Sequence, residues 1–325
     1  VGGVYLQAES EVAAINMCYG CAATGKRVMT SSSGPGISLM QEGLSYMIGA
    51  ELPCVIINIA RGGPGLGNIA PAQTDYNQIV HGGGHGDYNA IVLAPASVQE
   101  AVDLTTLSFD LADEYRAVSV VLLDGSIGQM MEPAEMPPMQ PVRTQYASWA
   151  VTGAENRERR MLSSIYIDPS EEEVANMRML NRWQQIRAKE TRFKTFYMED
   201  ARFAVVGFGS AGRVALSAVR AARAEGIPVG LLRPITLNPF PEAALQEIAA
   251  QVDGMLVVEM NAGQMLLDVQ RLVGGKTPVE FYGRVGGMMP LPDEILREIR
   301  RMAAGPLPTD GEAVARWLAR SAQPA

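Results

Sequence analysis

Strand signals and helix signals alternate along almost the whole chain, which is the pattern of a parallel α/β sheet. The clearest strand is 52–60, an almost unbroken apolar run of the kind that helices cover on both faces. In the first half the pattern predicts strands at 4–7, 27–31, 52–60, 90–94 and 117–123 and helices at 9–24, 36–48 and 97–113. In the second half it predicts strands at 203–206, 229–232, 255–258 and 278–281 and helices at 211–224, 241–251, 264–273 and 292–302. A chain of 325 residues with this rhythm is expected to form two α/β domains.

Two segments interrupt the alternation. Residues 130–141 hold four prolines and four methionines, a composition that favours an extended arm because proline resists both helix and central strand. Residues 155–200 are charged and helical in pattern, with Trp183 and Phe196 as expected anchors. We therefore expect a first domain at 1–128, an arm and helical linker at 129–200, and a second domain at 201–325.

Composition excludes several classes of protein. The net charge is −8, from 27 basic and 35 acidic residues, and this argues against a nucleic-acid-binding surface. No apolar run is long enough for a membrane helix. Three cysteines are too few for a [4Fe-4S] cluster or a typical structural zinc site, and free thiols fit a reducing compartment. The chain is expected to be a soluble, cytoplasmic protein that holds no metal by itself.

A Gly-x-Gly-x-x-Gly segment, Gly207–Gly212, follows one predicted strand and opens a helix, as a dinucleotide-binding turn does. Such a turn needs a ribose-binding acid after the next strand, and the one carboxylate in the interval, Glu225, precedes that strand. Arg233 leaves NADP as an option. The competing interpretation, which the missing acid favours, is that these glycines let a strand and a helix pack closely.

The two histidines, His81 and His85, lie in a glycine-rich segment that ends at Asp87. A metal site would need Asp87 as a third ligand, on a backbone that fixes ligand geometry poorly. Glycines beside histidine and aspartate are more typical of backbone that approaches a ligand or a partner chain closely.

Three further features lie where strands end and helices begin. The segment 30–36 offers hydroxyls and free N–H groups, which predict either a polar ligand site or simply a capped helix start. Glu9 has the character of an acid at the positive end of a helix, whereas Glu11 lies closer to an apolar run that would raise its pKa and equip it for proton transfer. Arg61 leaves the carboxyl end of strand 52–60, where a guanidinium can grip a carboxylate, although a plain surface arginine is the alternative.

Together these segments resemble the 2-oxoacid:ferredoxin oxidoreductases. The similarity is greatest to the subunit that carries the pyrimidine-binding and transketolase-C-terminal-like domains of the 2-oxoisovalerate (3-methyl-2-oxobutanoate) type. It covers nearly the whole chain, and its segments are specific in combination rather than singly. They are Gln7–Glu11, Thr30–Gly36, Gln41–Gly43, Ile59–Pro64, His85–Tyr88, Glu259–Gln264 and Tyr282–Gly287.

The resemblance implies two parallel-sheet α/β domains and the oxidative decarboxylation of a 2-oxoacid to an acyl-CoA with thiamine diphosphate. It implies that Glu11 contacts N1′ of the cofactor's aminopyrimidine and that Arg61 holds the substrate carboxylate. It also implies that Ser33, Gly34 and Gly36 bind the cofactor with Glu11. His85 and Asp87 are candidates for a substrate loop, and Met40, Leu66 and Ile69 for the pocket of the substrate side chain.

The resemblance further implies partner subunits. Mg²⁺ and the diphosphate belong to a subunit with a Gly-Asp-Gly motif, which this sequence lacks, and the [4Fe-4S] clusters belong to a ferredoxin-like subunit. A gamma-type subunit, ferredoxin and CoA complete the expected partners, with no nucleic acid and no membrane. The family's first strand and helix, with an Ile-Thr-Pro turn, are absent, so the chain is expected to be N-terminally truncated. A non-catalytic scaffold subunit or a fragment is one alternative, and an NAD(P)-binding Rossmann oxidoreductase is another.

Overall fold

Two five-stranded sheets with helices against their faces make up the computed structural model of the chain, which describes residues 3–139, 147–308 and 312–321. In those ranges the strands are β1 Met29–Ser32, β2 Cys54–Ala60, β3 Ile91–Leu93, β4 Val118–Asp124, β5 Phe193–Phe196, β6 Phe203–Val206, β7 Val229–Pro234, β8 Thr236–Asn238, β9 Gly254–Glu259 and β10 Val279–Gly283. The helices are α1 Glu11–Ala23, α2 Pro35–Gly49, α3 Tyr76–Val80, α4 Val98–Tyr115, α5 Gly125–Gln129, α6 Pro169–Lys189, α7 Gly209–Ala224, α8 Glu242–Gln251, α9 Gln264–Val273, α10 Pro292–Ala303 and α11 Ala313–Ser321. None of these helices is both long and apolar enough to cross a membrane.

The first sheet has the strand order β1-β2-β4-β3-β8, and its first four strands are parallel. Strands β2 and β4 are buried along their length, as the apolar run at 52–60 predicted. The register pairs Ser32 of β1 with Asn58 of β2, so the carboxyl ends of these two strands lie side by side. In an open α/β sheet this is the edge where ligands bind.

The second sheet has the strand order β10-β9-β6-β7-β5, with four parallel strands and β5 antiparallel at one edge. The predicted α/β fold is confirmed. Both sheets are mainly parallel, as predicted, and β8 and β5 each add one antiparallel strand at a sheet edge. Neither strand was predicted: β8 has three residues, and β5 lies in a segment whose charge pattern indicated helix.

Two local expectations also differ from the structure. Residues 4–7 form no strand, and Val4 is 96% exposed. Alternating apolar residues make a strand only when a neighbouring strand accepts their backbone hydrogen bonds, and the described sheet ends at β1. Within 155–200, helix is confined to α6, although Trp183 and Phe196 do pack against the core as expected. Residues 130–139 have no regular structure, in keeping with an arm, and 140–141 lie outside the described residues.

The two halves of the chain share one core. Strand β8 comes from the second half but pairs with β3 of the first sheet. A single cluster of buried apolar side chains contains Ile15 and Met40 from the first half and Phe281 and Trp317 from the second. Met40, considered above as a pocket residue, is 1% exposed and belongs to this core. The position of the first-half loops is therefore set partly by the second half.

Candidate active site

The turn between β1 and α2 forms the floor of the candidate site. Helix α2 begins at Pro35, whose fixed φ suits the first helical position. The residue before it, Gly34, has φ +48° and ψ −122°, a conformation that side chains rarely adopt. This glycine lets the chain reverse direction between strand and helix, and it leaves the turn without a side chain at that point.

Glu11 approaches this turn from α1. Ser10 caps the helix, with its Oγ accepting a hydrogen bond from the Ala13 N–H at 3.2 Å, and Glu11 is the first helical residue. A β-carbon placed on Gly36 would lie 2.6 Å from Glu11 Oε1 and 2.2 Å from Ser32 Oγ. Both distances are far below van der Waals contact, so a side chain at position 36 would displace the partly buried Glu11 carboxyl group from this place.

Arg61 reaches the same turn from the end of β2. A β-carbon on Gly34 would lie 3.1 Å from Arg61 Cζ, so the guanidinium rests on the bare backbone of that glycine. Arg61 Nε donates to Ser33 Oγ at 3.2 Å, and Nη1 donates to the carbonyl oxygens of Asn68, at 3.1 Å, and Leu66.

All of the hydrogen-bond partners of Arg61 are neutral, and in the described ranges no carboxylate forms a salt bridge with it. The guanidinium therefore keeps a net positive charge at the carboxyl end of the sheet, available to an anion. Since Gly34 and Gly36 are two residues apart, Glu11 and Arg61 lie against the same turn. The structure thus brings together five of the predicted site residues: Glu11, Ser33, Gly34, Gly36 and Arg61.

The segment with His85 and Asp87 lies elsewhere along α2. The backbone oxygen of His85 accepts a hydrogen bond from Ser45 Oγ at 2.5 Å, more than two helical turns beyond Gly36. Both side chains are exposed, and no hydrogen bond among the described residues joins them to Glu11 or Arg61. Their role in a substrate loop stays a prediction.

His81 has different contacts from His85. Its Nε2 lies 3.0 Å from Asp268 Oδ2, and the hydroxyl of buried Tyr76 donates to the same oxygen at 2.8 Å. Burial and the Asp268 charge raise the pKa of Tyr76 well above its ordinary value, so it stays a donor. Within the parts of the chain that the structure describes, no three His, Cys, Asp or Glu side chains are grouped as metal ligands.

Gln73, which the sequence did not single out, fixes the loop after Arg61 to the second half. This buried side chain donates to the Phe208 carbonyl at 2.9 Å and accepts from the Met260 N–H at 3.0 Å. Its backbone oxygen accepts from Asn261 Nδ2 at 2.8 Å. A glutamine in a Gly/Pro-rich loop carries no signal by itself, whereas Asn261 lies in the Glu259–Gln264 segment noted above.

Glu259 organises that segment from the end of β9. Its carboxyl oxygens accept hydrogen bonds from the Met265 and Leu266 N–H groups, both at 2.9 Å, at the start of α9. Complete burial raises the pKa of Glu259 to about 7, although these bonds and one from Asn261 oppose the shift. Glu259 therefore fixes the loop between β9 and α9, whose Asn261 donates a hydrogen bond to Gln73.

The glycines of the Gly207–Gly212 turn let β6 and α7 pack closely, which was the alternative to a dinucleotide-binding turn. A β-carbon on Gly212 would lie 2.4 Å from the Gly207 carbonyl oxygen, so these glycines serve close backbone packing. The N-terminus of α7, where a pyrophosphate would bind, faces Asp124 of the first half, whose Oδ1 accepts from Ser210 Oγ at 2.9 Å. A carboxylate of the chain itself thus occupies the anion position, which disfavours the dinucleotide-binding alternative.

Arg233, the residue that allowed NADP binding as an alternative, forms a salt bridge within the chain. Its two terminal nitrogens donate to Glu100 at 2.8 and 2.6 Å, and the arginine is 4% exposed. Burial alone would raise the pKa of Glu100, but hydrogen bonds from Arg233 and Lys194 lower it to about 2. Arg233 therefore joins β7 to α4 and offers no charge to a ribose phosphate.

Two family models match the chain. Residues 1–200 match the model described as "Pyruvate flavodoxin/ferredoxin oxidoreductase, thiamine diP-bdg". Residues 201–295 match "Pyruvate:ferredoxin oxidoreductase core domain II". The two matches together span 1–295 of the 325 residues.

Curated relatives agree with these models. The chain is 50% identical over 303 residues to "Ketoisovalerate oxidoreductase subunit VorB" of Methanothermobacter thermautotrophicus, covering 93% of this chain and 86% of the relative. It is 34% identical over 329 residues to "2-oxoglutarate synthase subunit KorA" of Methanothermobacter marburgensis, covering 93% of this chain and 87% of the relative.

Solved structures show the same fold. A chain of 2-oxoglutarate:ferredoxin oxidoreductase from Magnetococcus marinus, solved with 2-oxoglutarate, coenzyme A and succinyl-CoA bound, matches with a TM-score of 0.78 and 26% identity. The match covers 92% of this chain and 57% of the other. A split-gene transketolase in an inactive β4 tetramer matches with a TM-score of 0.56 at 15% identity, which is a likeness of fold alone. The family predicted from the sequence motifs is confirmed: this chain belongs to the 2-oxoacid:ferredoxin oxidoreductases.

Proposed function

We propose that this chain supplies the pyrimidine-binding half of a thiamine diphosphate site in an enzyme that oxidises a branched-chain 2-oxoacid. The reaction converts the 2-oxoacid and CoA into an acyl-CoA and CO2, and two electrons pass to ferredoxin. One observation carries the proposal: Glu11 and Arg61 reach the same glycine turn from different elements. A proton-holding carboxyl group and an uncompensated cation are what such a reaction needs on the side of this chain.

The residues at this turn fit the aminopyrimidine ring of the cofactor. Gly36 leaves space beside the Glu11 carboxyl group, and Gly34 presents bare backbone beside it. When bound, thiamine diphosphate supplies a carbon nucleophile and accepts the electron pair that CO2 leaves behind. Glu11 would hold a proton at N1′ of the pyrimidine, and a positioned acid of this kind contributes about 10²–10⁴ in rate. Arg61 would orient the 2-oxoacid through its carboxylate, with its own position fixed by Ser33 and the Asn68 carbonyl.

The loop after Arg61 supports a branched aliphatic substrate. Leu66 and Ile69 are each 83% exposed, and the loop that carries them also supplies the backbone oxygens that bind Arg61. A guanidinium bound by a loop with exposed apolar side chains suits a substrate with one carboxylate and a hydrocarbon tail better than a dicarboxylate. The higher identity to the ketoisovalerate relative, 50% against 34% for the 2-oxoglutarate relative, points the same way.

The rest of the active site is assigned to partner subunits. The sequence has no Gly-Asp-Gly motif, so Mg²⁺ and the diphosphate are placed on a partner that has one. We assign the [4Fe-4S] clusters to a ferredoxin-like subunit and expect a gamma-type subunit as well. The segments that carry Glu11, the glycine turn and Arg61 also carry exposed apolar side chains, which suit burial by such a partner: Leu6, Val12, Leu39, Leu66 and Ile69. The free thiols support a cytoplasmic, reducing location.

The test is a pair of neighbouring substitutions in the reconstituted complex. Glu11→Gln removes the proton while keeping the shape of the side chain, and Glu9→Gln makes the same change on an exposed residue that precedes the helix. We expect Glu11→Gln to lower the rate of 2-oxoisovalerate oxidation about 10²–10⁴-fold and Glu9→Gln to leave it unchanged. Full activity of the Glu11→Gln complex would refute the proton-holding role of Glu11.

A further inference from the structure

A polar residue interrupts the buried strand β2 two positions before its end. Asn58 is 0% exposed, its Oδ1 has no hydrogen-bond partner, and its Nδ2 donates to Asp75 Oδ2 at 3.1 Å. Burying an amide with an unpaired oxygen costs roughly 1–3 kcal/mol, so an apolar residue would make a more stable strand. Ser32, its register partner on β1, lies beside Glu11 at the Gly36 turn, which puts Asn58 next to the proposed site.

The partner of Asn58 is a carboxyl group in the loop after Arg61. Asp75 is partly buried, and Thr74 Oγ1 lies 3.4 Å from its Oδ1 and 3.2 Å from the Arg61 carbonyl oxygen. A threonine hydroxyl has one hydrogen, so it can donate to only one of these two oxygens. A proton on Asp75 supplies the second hydrogen, since Asp75 can then donate to Thr74 while Thr74 donates to Arg61.

Burial shifts the protonation equilibrium of Asp75 in the same direction. Burial raises the pKa of the Asp75 carboxyl group, and this effect exceeds the opposing effects of Asn58, Thr74 and the Arg61 cation. The groups that act on Asp75 are thus Asn58 and Arg61 from β2 and its end, and Thr74 from its own loop. Of these only Arg61 is charged, and it forms no salt bridge with any carboxylate of the described residues.

We propose that Asp75, held by Asn58, is a positioning residue for Arg61 that takes up a proton when the carboxylate of a 2-oxoacid binds the guanidinium. An ionised Asp75 competes with the substrate for the Arg61 charge, and a neutral one leaves that charge to the substrate. The bound carboxylate cancels the cation that favours ionisation of Asp75, so binding of substrate and of one proton are linked. The inference rests on the proposed function, because it takes Arg61 as the carboxylate-binding residue.

Steady-state kinetics of the reconstituted complex provide the first test. In the wild type, KM for 3-methyl-2-oxobutanoate should rise with pH above the pKa of Asp75, by up to tenfold per pH unit, while kcat changes little. Asp75→Asn keeps an acceptor for Asn58 but cannot titrate, so its KM should lose this slope. Asp103→Asn, on an exposed aspartate of α4, is the matched control and should keep it. Equal slopes for the wild type and Asp75→Asn would overturn the proposal.

A second test needs no turnover. In the full chain labelled with carboxyl-¹³C aspartate, the Asp75 resonance is assigned by its loss in Asp75→Asn and titrated by NMR. Arg61→Met should raise the pKa of Asp75 further, because the cation is gone. Adding 3-methyl-2-oxobutanoate should raise it in the wild type but not in Arg61→Met. An unchanged pKa in Arg61→Met, or no response to the oxoacid, would overturn the proposal. Coupling without any 2-oxoacid turnover by the complex would instead refute the proposed function and leave the Asp75–Arg61 linkage standing.

Discussion

Gly36 offers a direct test of whether the glycine turn exists to make room for Glu11. The residue is the second of α2 and has helical backbone, so alanine is disfavoured there only by its neighbours. An alanine β-carbon would lie 2.6 Å from Glu11 Oε1, and ordinary contact begins near 3.4 Å, so the carboxyl oxygen must retreat by about 0.8 Å. Ser32 Oγ, at 2.2 Å, must move further.

A misplacement of about 1 Å in a reacting group costs about 10²-fold in rate. We therefore expect Gly36→Ala to lower kcat for 2-oxoacid oxidation by about 10²-fold. Its effect on folding should be small: a steric cost of about 1–3 kcal/mol is offset by the helix preference of alanine over glycine, about 0.5–1 kcal/mol. The free energy of unfolding, measured by urea denaturation, should fall by about 1 kcal/mol.

Gly20→Ala is the matched control. Gly20 also lies in a helix, α1, and a β-carbon there would meet no atom within 4 Å. This variant should be slightly more stable than the wild type and fully active. In the Glu11→Gln background Gly36→Ala should cause little further loss, since both changes act through one carboxyl group. Wild-type kcat for Gly36→Ala, or losses that multiply in the double variant, would refute the reasoning.

Two further predictions concern contacts between the two halves of the chain. Glu100→Gln should lower the free energy of unfolding by about 3–5 kcal/mol near neutral pH, because it leaves buried Arg233 without its counter-charge. The pKa of Glu100 is lowered to about 2, so this contribution is present above the ordinary value of 4.5 and is lost as pH falls towards 2. In urea denaturation at several pH values, the free energy of unfolding should therefore fall more steeply towards acid pH in the wild type than in Glu100→Gln. Glu171→Gln, a change at an exposed acid of α6, is the control and should behave as the wild type. Nicotinamide fluorescence should not change when the chain is added to NADH, since Asp124 occupies the N-terminus of α7; saturable enhancement would contradict this.

The sequence predicted the elements with long, regular patterns. Strand β2 and helix α9 lie almost where the apolar pattern put them, because a buried strand and an amphipathic helix each repeat one local preference over many residues. Strand β8 could not be found this way, because three residues carry no periodicity and the strand exists only through pairing with β3. Residues 4–7 show the converse case, in which a strand-like pattern has no neighbour to pair with.

The sequence indicated the individual residues of the candidate site but not their arrangement. Acidic and cationic residue types at strand and helix ends indicated Glu11 and Arg61. That each would press against a particular glycine of one turn depends on how α1 and β2 pack, which no local pattern encodes. Asn58 was overlooked because it lies inside an apolar run. Its proposed role depends on a hydrogen bond to Asp75, seventeen residues later in the chain.

The pairing of β8 with β3 limits how this protein can be divided. Although two family models meet at residues 200 and 201, a cut at that point would remove β8 from the first sheet and leave the outer edge of β3 without a partner strand. Bare sheet borders recruit other chains, so the amino-terminal piece would be prone to self-association. Gene fusions, swaps or splits between members of this family must therefore keep the tripeptide 236–238 with the sheet that it completes.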